Sequence, residues 1–425
     1  MKKTLITYTI IFIILSVLLY FLSMSWMNFL YRPNLKKELE ILVTEMPRQH
    51  PFLNQNQRDN FIDAVDTIND EIGLFTSHFK YFEKLAPAFT CFEDTFTYLD
   101  FWEGSLHSAS VLPMIFKYRG GETLVKRSLG NVIPAGSVIT GINEKSIDEI
   151  LNDFGLFIYA ETDEERRFWV AERDLLNYYP EFFKANQYQI QYIYDGTEYN
   201  ESIEKIFWKE FSSWKTRVES KWYDLKRDGD YQVLKIYDLS YSEENNHEIR
   251  KVMNDIITSN CSKLMIDLTD AKGEGGNYYN LQLLLSFLTD QEGYLIKKQV
   301  MSYITQTDAF SVFPQKENFQ GKLYFLISEY SIYPYIRALI SFCKQTETGI
   351  MLGTNPLSDG DYFSNPNREP LYFSYLIPKV CRTLNVVKTE DLEGVIDEQI
   401  SFTQDDYWKL MTFEKDYSDY FPQTD

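Results

Sequence analysis

The stretch SKLMIDLTDAKGEGGNYYNLQLLLSFL, Ser262 to Leu288, decides how the chain is read. Its first seven residues, Ser262 to Leu268, are a short apolar run typical of a strand buried on both faces. A glycine-rich loop follows, and YNLQLLLSFL (Tyr279 to Leu288) is leucine-rich and long enough for a helix. The same alternation continues on either side. DYQVLKIYDL reads as a preceding strand, and Glu243 to Asn260 carries Ile249, Val252, Ile256 and Ile257 on one helical face. GKLYFLIS (Gly321 to Ser328) and TGIMLG (Thr348 to Gly353) bracket a further helix, Tyr335 to Lys344. This alternation predicts an α/β core, a sheet with helical crossovers, over 229–425.

Upstream the pattern changes twice. Between 110 and 225 β-branched residues gather in short runs. Gly136 to Leu151 passes from a turn glycine through an apolar strand to Asn143 and into a helix with an acidic start. A polar helical stretch around Glu161 to Leu176 precedes the strand Gln187 to Gly196, so a β-rich domain with an inserted helix is expected. Between 34 and 105 apolar residues recur at helical spacing. Leu35, Leu39, Leu42 and Met46 form one face that ends before Pro47, Phe61, Val65, Ile68 and Ile72 a second, and Phe75, Phe79, Phe82 and Leu85 a third. The fold class expected is α/β within an α+β multi-domain chain.

The N-terminus carries its own signal. Lys2 and Lys3 precede a stretch, Thr4 to Tyr31, without one charge, closed by Arg32, Lys36 and Lys37. About 20 apolar residues suffice to cross the hydrocarbon core, so 4–31 reads as a transmembrane anchor. A cleaved signal peptide is the alternative, but Trp26, Met27 and Phe29 continue the run beyond Ser23-Met24-Ser25, its only weak cleavage site. With Lys2 and Lys3 inside, a single-pass membrane protein results, its bulk extracytoplasmic.

Composition narrows the functions open to the chain. Of 425 residues, 62 are acidic and 42 basic, giving a net charge of −20. Such a balance excludes a general nucleic-acid binder, which needs cations to displace the counterions of phosphates. Only four histidines (His50, His78, His107, His247) and four isolated cysteines (Cys91, Cys261, Cys343, Cys381) are present. No zinc motif, redox pair or cofactor site is legible.

The order of these signals resembles the S41 peptidases, the tail-specific or C-terminal-processing proteases. The family's His-Pro step in a helical module is matched by His50-Pro51. Its PDZ-like strand–Asn-Gly–helix signature is resembled by Gly141-Ile142-Asn143 and Ser146 to Leu151. The Asp-Leu-Arg-x-Asn-x-Gly-Gly strand end is similar to Asp267 to Asn277, with Thr269 where arginine is expected. Leu323 to Ser328 matches the strand before the nucleophile, and Gly394-Val395-Ile396-Asp397 echoes the closing motif. Beyond the anchor (4–31), the resemblance implies a helical module (34–105), a PDZ-like domain (110–225) and a crotonase-like protease core (229–425). It also implies that Gly275 and Gly276 form an oxyanion or substrate-backbone loop, where glycine admits close approach.

The catalytic positions depart from the family. Ser328-Glu329-Tyr330-Ser331-Ile332-Tyr333-Pro334-Tyr335 corresponds to the nucleophile turn, and one alignment places Tyr333, another Pro334, at the serine. Ser331 falls two or three residues early. The segment Gly353 to Asp361 has no base lysine, and Asp94-Thr95-Phe96-Thr97 has phenylalanine where the family's motif has histidine. His107, eleven residues beyond Phe96, would reach the site only through a rearranged loop. The expectation is a degenerate S41-like protein that binds peptide or unfolded protein segments. The alternative is an atypical serine peptidase using Ser331.

Overall fold

The computed structural model describes residue 16 and residues 29–422, except 51, 103–105, 107, 186, 220, 241, 260, 274–276, 302–303, 358–361, 367–369 and 387–394. Nearly all of the expected anchor therefore lies outside the described residues, as do Pro51, His107, Gly275, Gly276 and Gly394. Among the described residues no helix is long and apolar enough to cross a membrane.

The N-terminal module consists of helices Arg32–Gln49, Gln55–Glu71 and His78–Leu85. The first two bury the faces their periodicity predicted, Leu35, Leu39, Leu42 and Met46 on the first and Phe61, Val65 and Ile68 on the second, while the third buries Phe82 and Leu85 with Phe79 half-buried. Two expectations are corrected. The first helix passes through Pro47 and ends at Gln49, since a proline in the last turn forfeits only one backbone bond. Phe75 is not on the third helical face. It belongs to a strand, Phe75–Ser77, paired antiparallel with Phe29–Tyr31, and the helix starts after Ser77, whose hydroxyl accepts from Lys80 N.

The middle region is a six-stranded antiparallel sheet. Its main path runs Thr197–Ile203, Tyr188–Tyr194, Val138–Ile142, Glu122–Ser128, Met114–Arg119, with Lys145–Ser146 paired to Val138–Ile142. Asn143 takes a left-handed conformation (φ 56°) at the turn after Ile142, and Ser146 with Glu149 forms a capping box on helix Ile147–Gly155. A second helix, Asp163–Glu172, packs against strand Met114–Arg119.

The C-terminal region centres on a six-stranded sheet. The order is Tyr223–Asp228, Tyr231–Ile236, Lys263–Asp267, Lys322–Ile327, Ile350–Gly353, Glu398–Gln399, parallel throughout except for the first pair. Helices Glu243–Thr258, Tyr279–Ser286 and Pro334–Thr346 cross between strands. The central strands read as unbroken apolar runs because both faces are covered: Leu264, Met265, Ile266 and Phe325, Leu326, Ile327 are all buried. In parallel sheets of this kind ligands sit beyond the carboxyl ends of the strands.

Candidate functional site

Two loops leave the carboxyl edge side by side, one after Asp267 and one after Ile327. Their strands are direct neighbours, with Asp267 opposite Leu326. Asp267 is fully buried and fully engaged. It accepts from Lys235 Nζ at 3.0 Å, from Thr269 N at 2.9 Å and Oγ1 at 2.6 Å, and from Tyr417 OH at 2.5 Å. A carboxyl group is buried at tolerable cost only with such hydrogen-bond partners. Thr269, where the family pattern has arginine, thus fixes the start of the loop through a local side-chain turn.

The second loop, 328–335, is the expected nucleophile turn. Ser331 is completely buried. Its hydroxyl accepts from Ser328 N at 3.0 Å and donates to Leu268 O at 3.3 Å, while its own N–H donates to Ser328 O at 2.9 Å. The Ser331 hydroxyl therefore ties the two loops together, and its hydrogen-bond partners among the described residues are backbone groups. Tyr333 is the residue preceding helix Pro334–Thr346, with Pro334 in the helix's first turn. The residues 328–335 are buried apart from half-buried Glu329, with Tyr333 only 7% exposed.

What covers this turn is aromatic. Phe168 and Trp169, from helix Asp163–Glu172 of the middle domain, lie on it. Phe168 stacks on Tyr330 at 5.5 Å, and Trp169 meets Tyr333 edge-on at 5.0 Å. On its other side Trp169 meets Phe96 at 5.3 Å. Phe96, at the position expected for the histidine, and Tyr333, at one of the two positions expected for the serine, therefore converge in space, each against the same indole. Edge-to-face contacts of this kind add packing energy but carry no proton-transfer capacity. Asp94, beside Phe96, accepts from Phe96 N at 2.9 Å, and His50 Nε2 lies 3.6 Å from its carboxylate, both side chains buried.

Tyr335 lies against both described ends of the glycine-rich segment. Gly273 has φ 149°, and a Cβ there would overlap the Tyr335 ring. Tyr335 OH donates to Asn277 O at 2.8 Å, so one tyrosine bridges the two ends of the segment containing Gly275 and Gly276. The pair themselves lie outside the described residues.

Charge gathers beside the turn, between the middle domain and the core. Arg119 Nη2 holds Asp270 at 2.7 Å and its Nη1 holds Glu172 at 3.2 Å. Lys117 reaches Glu172 at 2.8 Å, Lys126 reaches Asp270 at 3.1 Å and Glu219 at 3.6 Å, and Lys272 reaches Glu172 at 3.4 Å. Burial alone would raise the Glu172 and Asp270 carboxyls. The surrounding cations outweigh it and hold both below the usual carboxylate range. Glu219 falls to about 2 on the same balance. Burial dominates at Lys117 and brings it down to about 8 despite Glu172 and Asp270. The Arg119 guanidinium also lies 5.1 Å over Phe168 and 5.0 Å over Tyr330, joining the ionic cluster to the aromatic cover. A cleft of about 890 Å³ opens beside the cluster, lined by Lys126, Glu219, Asp270, Lys272, Tyr237 and Trp408 among others.

Helix Asp163–Glu172 was visible in the sequence only as a polar helical stretch, and its role as a cover was not. One signal was available. Lys117 and Arg119 alternate within MIFKYR, placing two cations on one face of a strand whose six residues are all buried. Such a pattern requires buried carboxylates from elsewhere.

No family model matches the sequence, and no curated protein matches it. Solved structures do. Mature CPAF superposes with a TM-score of 0.63 at 12% identity, over 90% of this chain and 95% of that one. Mature CPAF complexed with lactacystin gives 0.61 at 12% identity, over 90% and 96%. The photosystem II D1 C-terminal processing protease matches at 0.47 and 11% identity, over 87% and 92%. The chain thus shares the fold of mature CPAF over 90% of its length; at these identities the likeness concerns the fold alone.

Proposed function

We propose that this chain is a membrane-anchored, extracytoplasmic protein of tail-specific protease architecture that binds peptide or unfolded protein segments without cleaving them. The observation that carries this reading is the column Phe96–Trp169–Tyr333. Phe96, at the position expected for the histidine, and Tyr333, at one of the two positions expected for the serine, are rings packed against one indole. Serine-type hydrolysis needs a hydroxyl within hydrogen-bond reach of a base, and an oxyanion site open to substrate. Here the Ser331 hydroxyl is taken up by backbone, and Tyr335 lies against Gly273 and donates to Asn277 O. The β-rich middle domain, read as PDZ-like, becomes a fixed cover over the turn. The cleft beside it, with both charge signs and the Tyr237 and Trp408 rings, suits an extended polypeptide.

The test uses the full chain in detergent with fluorescent unfolded casein and a serine-reactive phosphonate. Binding without cleavage or labelling is expected, with binding weakened by Trp408→Ala. Cleavage or labelling lost in Ser331→Ala would establish the active-hydrolase alternative and overturn this reading.

A further inference from the structure

We infer that the short ladder formed by Phe29–Tyr31 and Phe75–Ser77 seats the folded body on the bilayer, with Tyr31, Leu74 and Phe75 at headgroup depth. The inference rests on the anchor proposed above and goes beyond it by assigning the face that meets lipid. Three large side chains stand exposed together there: Tyr31 at 46%, Leu74 at 60% and Phe75 at 47%. Single exposed apolar residues need no explanation, but a contiguous group marks a surface made for an apolar or interfacial partner. The group is built rather than incidental. Tyr31 pairs with Phe75 in register, their rings 5.7 Å apart. Arg32 N donates to Leu74 O at 3.0 Å, and Arg32 Nη2 donates to Asn69 O at 3.2 Å, so the loop that presents Leu74 is fixed to the end of the apolar run.

Chain length identifies the partner as the membrane. The uncharged run Thr4 to Tyr31 leads into this ladder without a polar linker. A helix needs about 20 residues to cross the hydrocarbon layer, which leaves about five before Phe29. Five residues reach at most about 17 Å even if fully extended, and the headgroup layer itself is about 5–8 Å deep on each side. Even at full extension the ladder therefore lies within about 12 Å of the headgroups, and any less extended linker brings it onto them. Tyrosine and phenylalanine edges suit that depth, where one side is apolar and the other wet. The next turns add Arg32, Lys36 and Lys37, the cations that phospholipid headgroups attract, and the nearby Glu71 is paired with Lys84 at 2.6 Å.

The experiment uses the full chain reconstituted into phosphatidylcholine–phosphatidylglycerol vesicles, carrying Cys91→Ser and Cys261→Ser to remove its two incompletely buried thiols. A spin label is placed at Leu74→Cys or, as the aqueous reference, at Ile304→Cys, which is 61% exposed in the core. Relaxation by a water-soluble nickel chelate is then compared between the two. At least a threefold lower nickel accessibility at 74 than at 304 is expected, with oxygen accessibility higher at 74. Equal values in a chain that resists alkaline carbonate extraction would overturn this inference while leaving the anchor standing. Release of the chain by carbonate would overturn both.

Discussion

The loops that leave Asp267 and Ile327 start from adjacent parallel strands, yet they meet the middle domain in opposite ways. The loop at 328–335 is capped by rings, Phe168 and Trp169 above Tyr330 and Tyr333. The loop at 267–272 is gripped by ions, with Asp270 shared among Arg119 and Lys126 and Lys272 drawn to Glu172. In an α/β sheet both belong to the edge where chemistry is ordinarily placed. The difference shows how one edge divides its work. The aromatic half packs rings over the turn, with the Tyr330 hydroxyl donating to Glu164 at 2.9 Å. The ionic half fixes the orientation of the two domains, because buried charges tolerate few alternative pairings.

Removing one partner of the ionic half is expected to have the largest effect. Glu172→Ala leaves Lys117 and Arg119 buried with only Asp270 between them, which should cost about 3–5 kcal/mol in a denaturant titration. A loss below about 1 kcal/mol would mean that the cluster is better solvated than its geometry indicates. Its pH dependence sharpens the same point. Glu172, Glu219 and Asp270 titrate below their ordinary range in the folded chain. As pH falls from about 4.5 towards 2, the unfolded chain takes up protons that the folded chain refuses, so stability falls through that window. Lys117, at about 8 in the fold, has the opposite placement. Between pH 8 and about 10.5 the unfolded chain keeps a proton that the folded one has lost, so this residue's contribution rises with pH. Thermal melts across both windows, repeated in Lys117→Met, should lose the upper rise and keep the acid fall.

The aromatic half comes next. Tyr333→Ser restores a hydroxyl at the expected nucleophile position, and combined with Phe96→His it restores the residue types of a dyad. The single change should cost about 3 kcal/mol through the cavity left beside Trp169. The pair should show no hydrolysis of a chromogenic ester above background, because the turn stays covered. Turnover by the pair would show that the cover opens. The smallest effect belongs to Ser331→Ala, which strands Ser328 N and takes one of two donors from Leu268 O, and should cost about 1–3 kcal/mol by urea titration. Peptide binding by this variant should equal that of the parent; a loss would assign Ser331 to the binding surface.

Much of the architecture was legible because it depends on local periodicity. The face Leu35–Leu39–Leu42–Met46, the strand Lys263–Asp267 and the cap Ser146 all follow from spacing that each segment carries by itself. Phe75 escaped that reading. Its spacing to Phe79 and Phe82 fits a helix, but pairing with Tyr31 drew it into a strand, and partners distant in sequence leave no mark on a period. At the site, the absence of serine and histidine from the motif positions was plain in the letters of 328–335 and 94–97. What replaced them was not, since Trp169 stands 73 residues after Phe96 and 164 before Tyr333.

By itself, then, the sequence determined the elements, their order and the residue types missing from the catalytic positions, because hydrophobic period, caps and turn residues act within a few positions of each other. Only the tertiary structure decided that Phe96 and Tyr333 meet on one indole, that Tyr335 closes over Gly273, and that Lys117 and Arg119 find Glu172 and Asp270. Those outcomes depend on the docking of the middle domain against the carboxyl edge, where close packing and the cost of unpaired buried charge select one arrangement.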